Sequence, residues 1–213
     1  MGTTPRFKES AYNRRPFGSH RFDVYSPKLS RQLVLFGLPA VDLWTTLEAD
    51  PAVITFCERP IMLPDTRPQR AVDFWVKSQH TEEFLVLRRS AETADATPAP
   101  SADTDGEQQA IEGVPVRYVA SGHLDQSRTK LTNWGWIIRD LAAFSRFVPE
   151  SLCREVAASI GGGKSIAQLQ AELHEFDSST VKLAVYVLLH RGQAVCEQLA
   201  TQTLGPAHIV ELP

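Results

Sequence analysis

The sequence has no long apolar run, few cysteines and no large excess of either charge sign, and each absence removes a class of protein. No apolar run approaches the roughly 18 residues that a membrane-spanning helix needs. The N-terminal stretch MGTTPRFKESAYNRRPFGSHR carries charge and proline without an apolar core, so it predicts no secretory signal. The MG start also lacks the Ser or Thr at position six that N-myristoylation prefers. We therefore expect a cytoplasmic protein that does not associate with membranes.

Metal-ligand patterns are missing as well. The three cysteines are far apart and odd in number, which is typical of reduced core residues in a cytoplasmic protein: Cys57, Cys153 and Cys196. The six histidines show no HxxxH spacing and predict no zinc site: His20, His80, His123, His174, His190 and His208. The stretch GGGKS lacks the more distant first Gly of a phosphate loop and follows a predicted helix rather than a strand. We interpret Ser165 in this stretch as the N-cap of the next helix.

The formal net charge of −3 conceals an uneven distribution. Residues 1–31 hold seven basic residues against two acidic ones, so the rest of the chain is acidic. A basic segment on an acidic body can bind a phosphate backbone, although such segments also occur simply solvated. The candidate DNA-binding residues of this segment are Arg14, Arg15, Arg21, Lys28 and Arg31.

The first half of the chain predicts one helix and several strands. Apolar residues at helical spacing predict a helix from about Leu38 to Ala49. The stretch AVITFCERPIMLP predicts short strands at 53–57 and 61–63, and AVDFWV and EEFLVLR predict a hairpin joined by KSQHT. Residues 91–112 are rich in Ala, Pro, Asp and Thr without apolar periodicity, so we expect a disordered loop there.

The second half predicts a strand, a long helix and a helical C-terminal region. GVPVRYVAS predicts the strand, and QSRTKLTNWGWIIRDLAAFSRF predicts an amphipathic helix. The composition changes near Pro149, after which SLCREVAASI, SIAQLQAEL and STVKLAVYVLLHR predict three short helices. QAVCEQLA and AHIVEL predict a two-stranded wing. We therefore expect a basic N-terminal arm at 1–31, an α/β domain at 32–148 and a small winged-helix-like domain at 149–213.

The order of these elements resembles the TnsA-type endonuclease subunit of heteromeric transposases, a nuclease of the PD-(D/E)XK, restriction-endonuclease-like kind. LWTTLEADPAVITFCERPIMLP is similar to the family's helix, acidic turn and following strand, and VDFWV is similar to its Asp-bearing strand. EEFLVLRRS lies where a Gln/Glu-x-Lys strand belongs, and EGVPVRYVASGHLDQSRTKLTNWGWIIRDL is similar to a later strand and an Asn-bearing helix. The resemblance implies an α/β fold with a mixed sheet flanked by helices, followed by the winged-helix-like domain.

The resemblance also implies a site for one or two Mg²⁺ ions, which activate a water and neutralise charge on the scissile phosphate. Such a site needs an acid on a helix, an acid on a strand, a polar oxygen on the next strand and a nearby lysine. Carried over to this sequence, the strand aspartate is Asp73. The helical glutamate falls on Ala40, the ligand of the next strand on Leu87 and the lysine on Arg89.

One ligand of three therefore remains, and the sequence predicts a degenerate nuclease site. Methyl and isobutyl groups do not coordinate magnesium, and a planar guanidinium does not replace a compact ammonium. Asp73 is then expected to serve in a structural ion pair with Arg89 or Lys77. The alternative is a working metal site in which Asp73 acts with the relocated groups Lys77, Glu83 and Glu48. Mg²⁺ is the cofactor in that alternative, and otherwise the chain needs none.

Several other residues favour structural roles. Trp75, Trp134 and Trp136 are interpreted as core or interface residues rather than as platforms for stacked bases. The helix STVKLAVYVLLHR occupies the position where winged helices read DNA, but it is mostly apolar and is expected to be buried. We therefore expect this domain to dock on protein at least as readily as on DNA.

These features predict a TnsA-like subunit of transposon-end processing that keeps the nuclease fold without its chemistry. Such a protein acts as an accessory subunit associated with DNA or with a transposase subunit, and it has no small-molecule substrate. Two alternatives stay open at this point. One is an active metal-dependent endonuclease that cuts at transposon ends, and the other is a protein-binding scaffold without DNA affinity.

Overall fold

The computed structural model describes residues 5–64, 66–67, 69–88, 110–120, 122 and 127–213. The chain divides into two compact units. The first takes its described residues from Met1–Val24, Gln32–Leu43 and Val53–Gln126, and the second takes them from Tyr25–Arg31, Trp44–Ala52 and Ser127–Pro213. None of the helices in the described part of the chain is both long and apolar enough to cross a membrane.

The chain has an α/β fold with a five-stranded mixed sheet in the first unit. Strands β1 (Arg21–Ser26) and β2 (Arg31–Phe36) form a separate two-stranded sheet and lead into helix α1 (Leu38–Ala49). The five-stranded sheet contains β3 (Val53–Glu58), β4 (Phe74–Ser78), β5 (Glu82–Leu87), β6 (Ala110–Ile111) and β7 (Val114–Val119). Its spatial order is β3-β4-β5-β7-β6, and only the β5–β7 pair is parallel.

One face of this sheet forms an apolar core because alternate residues of each strand point to the same side. Trp75 of β4 and Phe84 of β5 are opposite each other in the antiparallel register, and both are fully buried. Val86, Val114 and Val116 extend the same cluster across β5 and β7. The side chain of Phe7 packs on this core from outside the sheet, with its ring centroid 5.5 Å from that of Trp75.

The segment before β1 is anchored to the first unit by Arg59. This buried residue follows β3 and has a positive φ of 43°. Its guanidinium donates hydrogen bonds to the carbonyl oxygens of Tyr12 and Val34, at 2.7 Å each, and to Asn13 Oδ1 at 2.9 Å. Three directional bonds from one planar group fix the N-terminal segment beside β2.

The second unit is mainly helical. Its helices are α2 (Arg128–Phe144), α3 (Glu150–Ile160), α4 (Ile166–Glu172) and α5 (Ser178–His190), and a short sheet pairs β8 (Lys164–Ser165) with β9 (Ile209–Val210). Helix α5 forms the centre of the unit, since seven of its residues are buried: Val181, Ala184, Val185, Tyr186, Val187, Leu188 and Leu189.

The structure confirms most of the predicted elements. The helix at 38–49, the β4–β5 hairpin, the strand at 114–119 and all four later helices occur where the sequence placed them. Ser165 forms the predicted N-cap and makes a capping box with Gln168, and helix α5 is buried as expected.

Three predictions differ from the structure. The stretch 61–63 makes only an isolated bridge between Met62 and Ala71, because no continuous strand lies beside it. The stretches QAVCEQLA and AHIVEL pair only through an isolated antiparallel bridge between Val195 and Glu211. The first then forms a 3₁₀ turn at Glu197–Ala200, and the two-residue strand β9 pairs with β8. The predicted loop at 91–112 lies outside the described residues as far as residue 109, and its last residues enter β6 and the following turn.

The division into units also differs from the boundary expected near Pro149. Helix α2 belongs to the second unit, although the sequence placed it in the α/β domain. The reason is its buried face, which packs within the helical unit, where Asn133 donates hydrogen bonds to the carbonyl oxygens of Leu199 and Gln202. The basic segment 1–31 likewise contains strand β1 in its second half.

Candidate functional site

Asp73 lies in a bend immediately before β4 of the first unit. Its amide donates a hydrogen bond to the carbonyl oxygen of Leu85, and its carbonyl oxygen accepts one from the amide of Arg59. The carboxylate is about three-quarters buried, with a side-chain exposure of 23%. Asp73 Oδ2 accepts a hydrogen bond from the backbone amide of Leu87 at 2.8 Å. The aspartate is thus held from both its backbone and its side chain.

The same carboxylate oxygen is also paired with Arg70. Arg70 Nη2 lies 3.0 Å from Asp73 Oδ2 and 2.8 Å from the carbonyl oxygen of Leu87. The guanidinium is only 9% exposed, so this ion pair is shielded from solvent on the arginine side. One nitrogen of Arg70 therefore joins the carboxylate to the backbone of β5. The positive charge of its guanidinium lies directly beside the carboxylate of Asp73.

The positions that the resemblance assigns to the other ligands carry hydrocarbon. Ala40 is a buried residue of α1, and Leu87 is a buried residue of β5 whose contacts with this cluster are made by its backbone. Arg89 lies outside the described residues. Mg²⁺ needs several oxygen ligands, and here a guanidinium already takes the one carboxylate of the predicted set. The members of this set that the structure describes do not fit the ion.

Glu83, one of the relocated candidates, is engaged with Arg117 of β7. Arg117 Nε and Nη2 each lie 2.8 Å from a different carboxylate oxygen of Glu83, which is the bidentate geometry of a strong charge-assisted pair. This hydrogen bonding raises the pKa of Arg117. Glu83 pairs in register with Val76, three residues along the strand from Asp73, which corresponds to about 10 Å. Lys77 lies one residue further, opposite Glu82.

Glu48, the other relocated candidate, belongs to the second unit and is fully buried there. Glu48 Oε1 accepts a hydrogen bond from the hydroxyl of Ser26, and Oε2 accepts one from the backbone amide of Lys28 at 3.3 Å. His190 Nε2 at the end of α5 lies 3.1 Å from Oε2. A buried carboxylate requires partners of this kind, and Glu48 joins three segments that are distant in sequence.

Lys28 is bound to backbone carbonyl groups at the C-terminal end of α1. Its Nζ donates hydrogen bonds to the carbonyl oxygens of Leu47 at 2.9 Å and of Asp50 at 2.6 Å. These are among the carbonyl groups that a helix leaves without an internal partner at its end, and a cation is favoured there by the helix dipole. Burial lowers the pKa of Lys28 to about 8, although the carboxylates of Glu48 and Asp50 act in the opposite direction.

The other predicted DNA-binding residues differ in their surroundings. Arg14 and Arg15 are exposed in the segment before β1. Arg21 is exposed as well but forms a close pair with Asp23, at 2.7 Å between Nη2 and Oδ1. Arg31, at the start of β2, is half-buried. The structure therefore leaves Arg14 and Arg15 as the members of this set with the most accessible charge.

Two of the residues that matter at these sites were not anticipated. Arg70 stands only three residues before Asp73, and a basic residue so close to a half-buried aspartate is the signal that could have identified it. His190 has no comparable signal, since 142 residues separate it from Glu48. Among the described residues, no three His, Cys, Asp or Glu side chains form a group that could hold a metal ion.

No protein-family model matches the sequence, and no curated protein matches it either.

Proposed function

We propose that this protein is a TnsA-like accessory subunit of transposon-end processing, with a restriction-endonuclease-like first unit that is catalytically impaired and a winged-helix-like second unit. Its partners are DNA and a transposase subunit. The mixed sheet with an aspartate at the start of a central hairpin supports the nuclease ancestry. The helical unit with a short two-stranded sheet supports the second part of the proposal.

The observation that carries the proposal is the pairing of the Asp73 carboxylate with Arg70 and with the amide of Leu87. A divalent cation bound at Asp73 would have to displace a guanidinium and would lie close to its positive charge. Each of these effects opposes metal binding, because like charges within a few ångströms repel strongly where solvent screening is weak. Ala40 and Leu87 supply no oxygen from their side chains that could offset the cost.

The proposed role therefore depends on association rather than on cutting. Helix α5 is the counterpart of a recognition helix in the winged-helix interpretation, yet most of its surface is taken up by the core of its own unit. DNA or protein is then contacted through exposed surfaces elsewhere. The exposed pair Arg14 and Arg15 is one such surface.

A plasmid-nicking assay with Mg²⁺ or Mn²⁺ tests the proposal. We expect no metal-dependent cutting of supercoiled plasmid by the wild-type chain, and none by the variants Asp73→Ala and Arg70→Ala. Arg70→Ala is informative because it removes a cation that lies 3.0 Å from the Asp73 carboxylate. Cutting by the wild type that requires metal and is abolished by Asp73→Ala would overturn the proposal in favour of an active endonuclease. DNA binding measured in the same samples by gel shift distinguishes an accessory subunit from a scaffold without DNA affinity.

A further inference from the structure

The exposed side of helix α2 carries a continuous row of side chains with an unusual composition. Thr132, Trp136, Arg139, Ala143 and Arg146 are all exposed, and they are three or four residues apart along the helix and its final 3₁₀ turn. This spacing brings them onto one face. From the first member to the last the row is about 20 Å long at the rise of a helix.

The opposite face of α2 holds the helix in a fixed orientation. Its buried residues are Leu131, Asn133, Trp134, Ile137, Ile138 and Leu141. Asn133 adds directional contacts, because its amide nitrogen donates to two carbonyl oxygens and its Oδ1 accepts from the amide of Leu204 at 2.8 Å. The row is therefore presented to solvent by a helix that cannot easily rotate.

Trp136 is the member of this row whose solvent exposure differs from that of the other tryptophans. It is 39% exposed, whereas Trp44, Trp75 and Trp134 are 6%, 0% and 7% exposed. An indole ring buries a large apolar area when it finds a partner, so an exposed tryptophan on a rigid helix leaves that free energy available for binding. Phe144 and Phe147 at the end of the helix are also exposed, at 51% and 63%.

The charge around the row is positive. Residues 127–149 contain four basic residues and one acid, Asp140, in a chain with an overall net charge of −3. Asp140 is mostly buried and is paired with Arg139 at 2.8 Å and with Lys182 at 4.0 Å. The guanidinium of Arg146 lies 4.7 Å from the ring centroid of Phe147, so a cation and an aromatic ring are stacked at the end of the row.

We propose that this row is a binding surface for single-stranded nucleic acid. Arg139 and Arg146 contact phosphates, and Trp136 and Phe147 stack on exposed bases. Alternation of cations with ring faces is the arrangement by which proteins hold single strands, because every base has a π-face and every nucleotide a negative charge. The inference rests on the proposed function in one respect, since a DNA-associated subunit needs a surface that takes DNA.

A single strand is favoured over a protein partner by the order of side chains in the row. A protein interface gathers its apolar residues in a dry centre and keeps most charges at the rim. Here two arginines lie within the row itself, Arg139 between Trp136 and Ala143, and Arg146 beside the exposed Phe147. A single strand is also favoured over a duplex, in which the bases are stacked on each other and offer no face to Trp136.

Intrinsic fluorescence tests the proposal, since Trp136 is the most exposed of the four tryptophans. The full chain is titrated with an oligothymidylate of about 12 nucleotides, within the usual site sizes, at low salt and without metal ion or partner protein. We expect quenching that saturates. The variant Trp136→Ala should lose the quenching and weaken binding, measured by anisotropy of a labelled oligonucleotide, about 5- to 150-fold. Trp136→Phe should restore part of the affinity.

The charge contribution is tested separately by salt dependence. Arg139→Gln and Arg146→Gln should each reduce the slope of log K against log salt by about 0.7, the value for one phosphate contact on a single strand. Arg154→Gln on the exposed side of α3 is the matched control and should leave both affinity and slope unchanged. Circular dichroism confirms that each variant is folded.

Three results would overturn the inference. These are no binding even at low salt, equal losses in the control and row variants, or competition by polyglutamate as strong as by oligothymidylate, which would identify a surface for acidic protein. None of them depends on the nicking assay. The nicking assay can therefore show no cutting while the α2 surface binds no oligonucleotide. It can equally show cutting while the α2 surface does bind the oligonucleotide.

Discussion

Asp73 shows how a single carboxylate can keep its place in a fold and take a partner that was not among those expected. The sequence placed the residue within a strand, and it indicated an ion pair. It did not indicate Arg70, because the expectation extended the alternation of β4 back through Asp73, whereas the strand begins at Phe74 and Asp73 occupies a bend. The partner comes from the turn preceding the strand, where no periodic pattern specifies which way a side chain points.

The Arg70–Asp73 pair predicts a loss of stability when either partner is removed alone. Arg70→Met removes a buried cation 3.0 Å from a mostly buried carboxylate, and we expect the free energy of unfolding to fall by about 2–3 kcal/mol. Asp73→Asn alone should have a cost of similar size. In the double variant the two losses should not add, because the second change no longer isolates a charge.

Urea unfolding of the four proteins measures this cycle. Arg117→Met, which removes a more exposed pair with Glu83, is the control and should cost less than about 1 kcal/mol. A neutral effect of Arg70→Met would show that the pair does not hold the bend, and would remove the main support for an occupied carboxylate.

Lys28 predicts a dependence of stability on pH. Its pKa in the folded chain is about 8, below the ordinary value of 10.5. The unfolded chain therefore binds more protons than the folded chain between these values, and the free energy of unfolding should rise as pH increases from about 8 to 10.5. Lys28→Met should remove this contribution, so that the variant gains less stability than the wild type over the same interval.

Urea titrations at several pH values between about 8 and 10 test the sign. Lys130→Met, which changes an exposed lysine in the first turn of α2, is the matched control. If the wild type and Lys28→Met changed in parallel with pH, burial would not lower the pKa of Lys28.

At the scale of elements, periodicity in the sequence was enough for the helices and insufficient for the short sheets. Helix α1 begins and ends at the predicted residues because its apolar spacing spans three turns and Asp50-Pro51 follows directly. Strand β1 was missed, although Phe22 and Val24 alternate with Arg21 and Asp23, since its charge dominated the interpretation. The two residues of β8 offer no periodic signal at all.

The end of helix α5 gives a prediction that depends on one glycine. Gly192 has a φ of +69°, and a Cβ added to it would lie 2.6 Å from Pro51 Cβ. An alanine there would be strained by about 1–2 kcal/mol in its backbone and would also force the proline ring to move. The backbone penalty alone reaches about 2 kcal/mol. Because the clash adds to this penalty, Gly192→Ala should lower the free energy of unfolding by more than about 2 kcal/mol.

Gly113 provides the control for this prediction. It has a similar φ of +78°, but nothing lies within 4 Å of an added Cβ. Gly113→Ala should thus show the backbone penalty without the clash. Thermal unfolding of both variants measures the difference, and equal shifts in Tm would mean that the contact between Gly192 and Pro51 does not constrain the helix end.

For the whole molecule, the sequence was enough to predict where the basic residues are concentrated. It was not enough to predict which residues of that segment make structural contacts. The basic segment 1–31 was expected to be an arm, yet its residues also hold the fold together: Phe7 packs on Trp75, Tyr12 and Asn13 bind Arg59, and Lys28 binds the end of α1. These contacts join residues that are far apart in sequence, so no local pattern reveals them. Only the exposed charges of the segment remain available for a partner.

Because the segment 1–31 has both structural contacts and exposed charges, its deletion and the neutralisation of its exposed charges should have different effects on stability. Deletion of residues 1–31 should unfold the chain or lower its Tm strongly, because it removes β1 together with the contacts of Phe7 and Lys28. The double variant Arg14→Gln/Arg15→Gln should change stability by less than about 0.5 kcal/mol, since both side chains are exposed.

If the segment contacts duplex DNA as proposed, the double variant should also reduce the slope of log K against log salt by about 1.8, corresponding to two phosphate contacts. Gel shifts on a duplex at several salt concentrations measure this, with Arg139→Gln as the comparison that should affect single strands more than duplexes. An unchanged duplex slope in the double variant would show that the charge of the segment is only solvated.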